Sequence, residues 1–224
     1  MWRRRLRGSM GKTIKINISD RDPFIIEETR NAIKSGGVVA IPTDTFYGLG
    51  VDPFNTGAIE KIYRIKGRDP NKPLLLLIET TKRLGSLIAE TTKDSEILMR
   101  ELWPGPLTII FRASPALPAI LTADTGKIGI RLPASSFLIW LLEGLDMAIT
   151  ATSANPSGLP PPATAEAVER YFSRNIDLII DAGSTDGIRE STVIDATEAP
   201  MRLIREGMIK AERLEGLIGK INRC

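Results

Sequence analysis

Apolar and polar positions repeat along the chain with two different periods, which predicts β-strands interleaved with α-helices. Apolar residues spaced three and four apart across positions 56–66 indicate a helix, whereas the unbroken apolar run at 74–78 indicates a strand covered on both faces. Positions 43–50, rich in threonine and glycine, are predicted to form a loop after a buried strand. The predicted strands cover residues 14–18, 37–42, 74–78, 107–112, 127–133, 147–152, 177–181, 191–195 and 201–205. The predicted helices cover residues 23–35, 56–66, two segments within 80–102, 135–143, 165–173 and 210–218.

This order of elements predicts the α/β class, with a mixed sheet and helices packed on its faces. The sequence contains no internal repeat, and no linker is long enough to mark a second domain. We therefore expect one compact domain covering residues 13–224.

The basic character of the chain comes mostly from its first 12 residues, which we expect to be a disordered leader. The whole chain has 30 basic and 27 acidic residues, but five of the basic ones lie in this leader. The other 212 residues therefore carry a net charge of −2, which argues against a basic nucleic-acid-binding face across the domain. The leader lacks the apolar segment of a secretion signal, and an upstream or vector-derived extension before a natural start at Met10 explains it best.

The chain contains no histidine and a single cysteine, Cys224. This excludes serine–histidine and cysteine–histidine catalysis, histidine metal sites, intramolecular disulfides and zinc–thiolate clusters. One cysteine and no apolar run of membrane-spanning length suit a cytoplasmic protein. Any catalysis must then use fixed cations, carboxylates, hydroxyls, backbone donors or an imported metal ion.

Polar residues cluster at the ends of several predicted strands, where an α/β sheet commonly binds its ligand. Taken singly, most have a plain structural interpretation: the threonines at 43 and 45 suit a capping turn, and Lys66 and Arg68 suit a solvated helix end. Arg131 is harder to explain in this way, because a charge beside the core requires an internal carboxylate or an anionic ligand. On its strand, Lys127, Gly129 and Arg131 share one face. The other polar groups at strand ends are Ser153, Asn155, Ser191, Thr192 and Arg205.

Neither of the common nucleotide-binding loops is present. Gly11-Lys12-Thr13 ends like a P-loop, but Leu6 occupies the position of its first glycine. Gly48-Leu49-Gly50 begins like a dinucleotide fingerprint, but Pro53 occupies the position of the third glycine. A nucleotide would have to bind in another way.

Eight short segments occur together and in order, and with them the chain resembles the YrdC-like family of L-threonylcarbamoyladenylate synthases. The resemblance extends from about residue 14 to residue 208. The segments are PTDTFYGLG (42–50), KGR (66–68), KPLLLLI (72–78), WPGPLT (103–108), IGIRLP (128–133), TSANPSG (152–158), STVID (191–195) and RLIREG (202–207).

The resemblance implies a twisted α/β sheet with a wide, concave and positively lined cavity. It also implies a nucleotidyltransferase that converts L-threonine, bicarbonate or CO2, and ATP into threonylcarbamoyl-AMP and pyrophosphate. Mg²⁺ would be held mainly by the nucleotide phosphates, without a protein metal site. A downstream transferase complex would then pass the threonylcarbamoyl group to the adenosine next to the anticodon of tRNA.

Site residues follow from the same resemblance, motif by motif. Lys66 and Arg68 would act as electrostatic stabilisers, and no general base is evident. Lys127 joins the ATP-binding set only because it shares the strand face of Arg131. The resemblance places Thr43, Arg131, Ala151 and Ser191 around L-threonine, and Lys66, Arg68, Ser153, Asn155 and Arg205 around ATP.

The chain departs from the family pattern at three points. Pro161 lies near the place of a usual serine, and Leu77 is apolar where some relatives are polar. The chain ends soon after Arg205, so we expect a short form without the C-terminal domain of longer relatives. The acylphosphatase and zinc segments of the related hydrogenase-maturing carbamoyltransferases are likewise not expected.

Two other functional classes stay open from the sequence. One is a module that binds tRNA or double-stranded RNA through a concave basic surface without turnover, and the enzyme itself could also contact tRNA directly. The other is a regulator that binds nucleotide without releasing product. RNA binding that persists when the cleft is saturated with ATP and L-threonine would distinguish the first.

Overall fold

The computed structural model describes residues 11–172, 175–185, 187 and 189–223. Most of the predicted basic leader, residues 1–10, lies outside the described residues, as does the end of the predicted helix 165–173. The strands are β1 (Lys12–Lys15), β2 (Val39–Pro42), β3 (Tyr47–Gly50), β4 (Leu75–Leu77), β5 (Leu107–Arg112), β6 (Lys127–Arg131), β7 (Ile149–Ser153), β8 (Leu178–Asp181), β9 (Thr192–Asp195), β10 (Arg202–Arg205) and β11 (Asn222–Arg223). The helices are α1 (Pro23–Lys34), α2 (Thr56–Lys66), α3 (Leu84–Leu87), α4 (Lys93–Leu102), α5 (Ala119–Thr122), α6 (Ser136–Leu145), α7 (Ala165–Phe172) and α8 (Ala211–Ile218).

The strands form one sheet in the order β1-β8-β2-β3-β7-β4-β6-β5-β9-β10-β11. The sheet is mixed: β2 pairs with β8 and β4 with β6 in parallel, whereas β3 pairs with both β2 and β7 antiparallel. Helices pack on both faces. The predicted α/β class with a mixed sheet is confirmed.

Helix starts follow the local sequence closely. The Asp22 carboxylate accepts a hydrogen bond from the Phe24 amide at 2.9 Å, with Pro23 as the first helical residue of α1. The Asn55 side chain accepts one from the Ala58 amide at 3.0 Å at the start of α2. These caps fix where the two helices begin.

Two apolar clusters hold the helices to the sheet. One cluster packs α1 and α6 against one face of β2, β4, β7 and β8. The larger cluster lies mainly on the other face, where Ile109, Ile128, Ile130 and Ile194 meet residues of α2, α4, α7 and α8. Since α1 and α6 cover only one end of their face, the part of that face formed by β5, β6 and β9 is left open, and a cavity lies there.

One sequence prediction needs correction here. Positions 47–50 form strand β3 rather than part of a loop, because Tyr47 and Leu49 are fully buried in the core. Gly48 and Gly50 alternate with these two residues and masked the strand pattern, and Gly50 is closely packed, because a Cβ on it would lie 3.1 Å from the Thr150 carbonyl oxygen. The run at 74–78 is covered on both faces as predicted, since Leu74, Leu76, Leu77 and Ile78 are buried and only Leu75, at the cavity, is partly exposed.

Strand β11 and the short helix α5 were not predicted. A two-residue strand and a four-residue helix are too short to show a hydrophobic period.

We expect Gly207→Ala to destabilise the protein by about 1–3 kcal/mol, because a Cβ there overlaps backbone. That atom would lie 2.2 Å from the Glu190 carbonyl oxygen and 2.6 Å from the Ser191 carbonyl carbon. The matched control is Gly216→Ala in α8, where no heavy atom lies within 4 Å of the added carbon and helix propensity favours alanine by about 1 kcal/mol. Urea unfolding should move in opposite directions for the two variants, and equal shifts would contradict this view of Gly207.

Candidate active site

A cavity of about 550 Å³ lies over the open part of the sheet. Seven strands that are consecutive in the sheet, β3-β7-β4-β6-β5-β9-β10, all contribute residues to its wall. At roughly 4.8 Å between strands, a flat sheet would spread these residues over about 29 Å. The sheet must therefore curve around the cavity. Its floor is formed by Thr108, Ile110, Gly129 and Val193.

The loop between β2 and β3 is held in shape by its own hydroxyl groups. Thr43 Oγ1 donates to the Phe46 carbonyl at 2.7 Å and accepts from the Thr45 amide at 3.1 Å. The two threonine hydroxyls lie 3.0 Å apart. The loop thus presents Thr43, Thr45 and Phe46 to the cavity in a fixed conformation.

Arg131, at the end of β6, is only 5% exposed and is paired with a carboxylate. Its Nη2 donates to Asp44 Oδ2 at 2.6 Å, and its Nε donates to the Gly105 carbonyl at 3.0 Å. Burial lowers the pKa of Arg131, while the nearby Asp44 opposes this shift. Arg205 lies close enough to contribute a further small lowering. The sequence predicted that Arg131 requires an internal carboxylate or an anionic ligand, and Asp44 supplies that carboxylate.

Arg205, from β10, is held against the start of β9. Its Nη1 donates to Glu190 Oε2 at 2.6 Å, and its Nε and Nη2 donate to the Ser191 carbonyl at 3.2 and 2.9 Å. The Ser191 hydroxyl in turn lies 3.0 Å from that of Thr108 on β5. Three strands are joined by this network at one wall of the cavity.

Lys66 fastens the end of α2 to the segment after β7, here called the 153–157 corner. Its Nζ donates to the carbonyl oxygens of Ser153 and Asn155, the latter at 2.5 Å, and its own carbonyl accepts from the Ser157 amide at 2.8 Å. Lys66 is 3% exposed. Burial, and to a smaller extent Arg68, lowers the pKa of its amine to about 7.

The Asn155 side chain is also turned inward, where it shapes the corner. Its Nδ2 donates to the carbonyl oxygens of Pro156 at 3.0 Å and Leu159 at 2.6 Å. Its Oδ1 is buried, and no described residue donates to it.

Arg68, two residues after Lys66, lines the cavity and donates its hydrogen bonds to backbone oxygen atoms. Its Nε donates to the Lys72 carbonyl at 3.2 Å and its Nη2 to the Pro73 carbonyl at 2.9 Å. Tyr63 donates to the same Lys72 carbonyl at 3.0 Å. Burial lowers the pKa of Arg68 and raises that of Tyr63.

The charges in the wall are unevenly paired. Four cationic side chains line the cavity, at positions 68, 72, 131 and 205, against one carboxylate, that of Glu190. Arg131 and Arg205 each have a carboxylate partner, whereas Arg68 is bonded only to carbonyl oxygens. Excess positive charge thus lies towards the 68–72 side, and a cavity of this size and charge suits an organic polyanion.

A family model described as "Telomere recombination", that of the Sua5, YciO and YrdC proteins, matches residues 31–207. The chain belongs to the Sua5/YciO/YrdC family. It is 38% identical over 210 residues to the threonylcarbamoyl-AMP synthase of Pyrococcus abyssi, covering 93% of this chain and 62% of that protein. It is 36% identical over 206 residues to the enzyme of the same name from Bacillus subtilis, covering 92% and 59%.

A solved structure of P. abyssi Sua5 complexed with L-threonine superimposes with a TM-score of 0.90. The identity is 35%, and the match covers 95% of this chain and 62% of that one. The chain thus spans about three fifths of the length of these relatives. The family predicted from the eight motifs is confirmed.

Most residues that the family resemblance had selected are brought together. Two of them, Lys66 and Asn155, lie behind the wall and shape the 153–157 corner rather than line the cavity. Those that line it are Thr43, Arg68, Arg131, Ala151, Ser153, Ser191 and Arg205.

The structure places Lys127 outside the cavity, contrary to the expectation from its strand face. The predicted face is right, because isoleucines 128 and 130 both point into the core. However, four residues of extended strand separate Lys127 from Arg131 by roughly 13 Å. Lys127 instead pairs with Asp195 at 2.8 Å at the far end of β6. An ATP contact from this side chain therefore has no geometric support.

Several residues of the site were not selected from the sequence. They include Asp44, the partner of Arg131, and Glu190, which directly precedes the selected Ser191. Lys72 and Thr108 both lie inside quoted family segments, so the segments themselves could have pointed to them.

Neither a metal-binding cluster nor a helix able to span a membrane occurs among the residues that the structure describes. No group of three or more histidine, cysteine, aspartate or glutamate side chains lies close enough to hold a metal ion. None of the described helices has both the length and the apolar character that a bilayer span requires.

We expect the stability of the protein to rise between pH 7 and pH 9.5 relative to that of Lys66→Met. The folded-state pKa of about 7 lies below the ordinary value of 10.5. Between these two values Lys66 is protonated in the unfolded chain and largely deprotonated in the folded chain. Proton binding therefore stabilises the unfolded chain, and raising the pH weakens this binding and increases the free energy of unfolding. The gain should be about 1.4 kcal/mol per pH unit at most.

Urea unfolding of both proteins at several pH values measures this difference directly. Methionine has a similar length and does not titrate, so groups elsewhere contribute equally to both curves. Parallel pH profiles for the two proteins would show that Lys66 keeps an ordinary pKa when folded.

Proposed function

We propose that the chain is an L-threonylcarbamoyladenylate synthase. It would convert L-threonine, bicarbonate or CO2, and ATP into threonylcarbamoyl-AMP and pyrophosphate. The names of the P. abyssi and B. subtilis relatives and the complex of P. abyssi Sua5 with L-threonine support this. One observation carries the proposal. A single cavity holds the buried Arg131 beside the small residue Ala151, and it also holds three further cationic side chains, at positions 68, 72 and 205.

In this proposal L-threonine binds near Arg131. The guanidinium receives its carboxylate, which is the planar partner that arginine binds best. Thr43 and Ser191 offer hydroxyl and backbone groups, and the small side chain of Ala151 leaves room for the substrate. All four residues line the same cavity.

ATP binds on the wall formed by Arg68, Ser153 and Arg205. Arg68 supplies charge for the phosphates, since its own hydrogen bonds go to carbonyl oxygens and not to a carboxylate. Lys66 and Asn155 contribute by fixing the 153–157 corner, against which the nucleotide rests. Mg²⁺, held through phosphate oxygens, would neutralise part of the triphosphate charge, since none of the described residues forms a metal cluster.

The reaction needs positioning and charge more than a protein nucleophile. The amine of L-threonine attacks CO2 and loses a proton, which gives a carbamate. A carbamate oxygen then attacks the α-phosphorus in line, a P–O bond forms, and the bond to pyrophosphate breaks. Fixed cations stabilise the charge that moves onto the phosphate oxygens, which suits a site without histidine.

The product is a reactive mixed anhydride, so the proposal also requires a partner that consumes it. We place that partner as a transferase complex acting on tRNA, in the cytosol, where ATP and tRNA are available. Direct contact between this chain and tRNA is not needed for the chemistry.

The decisive experiment measures pyrophosphate release from ATP with and without L-threonine and bicarbonate. We expect release to depend on both, and Arg131→Ala to lower kcat/KM by about 100-fold or more through the lost charged hydrogen bonds. Lys66→Ala should also abolish it. Lys127→Ala is the matched control, a cation on the same strand face but outside the cavity, and should keep full activity.

Mass spectrometry of the same mixture with labelled L-threonine should find the threonylcarbamoyl–AMP anhydride. Pyrophosphate release that does not respond to L-threonine would overturn the proposal. Binding of ATP without any product would favour a nucleotide-sensing regulator instead.

A further inference from the structure

Asp44 forms an ion pair with the buried Arg131. Arg131 lines the cavity, whereas Asp44 does not. Its Oδ2 accepts from Arg131 Nη2 at 2.6 Å and from the Ala134 amide at 3.1 Å. Its Oδ1 is buried, and no described residue donates to it. The pair joins the loop after β2 to the end of β6 and the segment that follows it. A carboxylate in this place can act on a ligand only through Arg131.

The hydrogen bonds of Arg131 use one edge of its guanidinium and leave the other free. Nε and Nη2 lie along the same side edge, and this edge is occupied by the Gly105 carbonyl and Asp44. The remaining edge carries the N–H groups of Nη1 and the second N–H of Nη2. Among the described residues none accepts from Nη1, and Arg131 lines the cavity. The free edge is a two-pronged donor that matches a planar carboxylate.

Asp44 also changes which anion this arginine attracts. A cation whose charge is cancelled by a buried carboxylate keeps its directional donors but exerts a weaker pull on a distant charge. Arg68 donates its hydrogen bonds to carbonyl oxygens and not to a carboxylate, so it keeps more of its attraction for a polyanion. The wall thus contains two kinds of arginine. Arg131 selects a ligand by the direction of its N–H groups, and Arg68 attracts a ligand by its charge.

We propose that Asp44 is a positioning and selectivity residue: it turns the free edge of Arg131 to the cavity and reserves it for a carboxylate, so that phosphates bind elsewhere. This inference rests on the proposed function, because L-threonine supplies the carboxylate and ATP the phosphates. It assigns a role to a residue that contacts neither substrate.

The test is Asp44→Asn, which keeps the shape of the side chain and removes its charge. Titration calorimetry of the whole chain should show the dissociation constant of L-threonine rising at least tenfold. That for ATP should stay within twofold or fall. Inorganic pyrophosphate should compete with L-threonine in the variant, because Arg131 now attracts phosphate, and should not compete in the unsubstituted protein.

Asp195→Asn is the matched control. It removes a carboxylate from the Lys127 ion pair at the opposite end of β6. A merely structural effect of losing an ion pair would appear in both variants, as a similar loss of stability. Only the substitution at position 44 should change the dissociation constant of L-threonine.

Three results would overturn the inference: an unchanged dissociation constant for L-threonine in Asp44→Asn, an equal weakening of both ligands, or competition between pyrophosphate and L-threonine in the unsubstituted protein. The last measurement needs no variant, so it decides the matter even if Asp44→Asn does not fold. If the unsubstituted protein binds ATP but not L-threonine, the proposed function itself fails. That outcome is distinct from a failure confined to Asp44.

Discussion

Two cations held out of water beside the cavity are the constraint on which the site depends. A buried charge is costly unless nearby oxygen atoms replace the lost water. Lys66 finds them in backbone carbonyls of the 153–157 corner, and Arg131 in Asp44 and the Gly105 carbonyl. Each set of oxygen atoms comes from a distant part of the chain, so only the folded molecule can supply it. Through these hydrogen bonds, Lys66 and Arg131 hold helix α2 and strand β6 to the loops that face the cavity.

The sheet brings these loops together because its two faces are covered differently. One face is packed with the larger apolar cluster, while the pair of helices α1 and α6 covers only part of the other. The uncovered strands curve around the cavity, and their polar ends point into it. Gly129 contributes by leaving space: a Cβ there would lie 3.2 Å from Thr108 and would protrude from the cavity floor. The distribution of apolar residues over the two faces of the sheet therefore determines which strands are free to line the polar site.

The sequence predicted elements with a clear period and missed those without one. Helix α2 has the predicted bounds, and β6 has the predicted division into a core face and a polar face. The strand at 47–50 was missed because alternating glycines have no apolar period to show. Arg131 was predicted to need an internal carboxylate or an anionic ligand, but Asp44 lies 87 residues away in sequence, and only the pairing of distant strands brings the two together. The period of β6 likewise gave the face of Lys127 but not the width of the cavity, which ends before that residue.

A cavity that gathers positive charge must limit repulsion while it is empty, and the cations at positions 66, 68, 131 and 205 do so in three ways. Arg131 and Arg205 are each neutralised by a carboxylate. Arg68 is stabilised by two carbonyl dipoles through hydrogen bonds. Lys66 has a pKa lowered to about 7 and gives up its proton near neutral pH. A bound polyanion would reverse the balance for Lys66, since a nearby negative charge favours its protonated form. Burial thus makes these charges energetically unfavourable in the empty protein. It also makes their stability depend strongly on the charge of a bound ligand. The site achieves this without histidine.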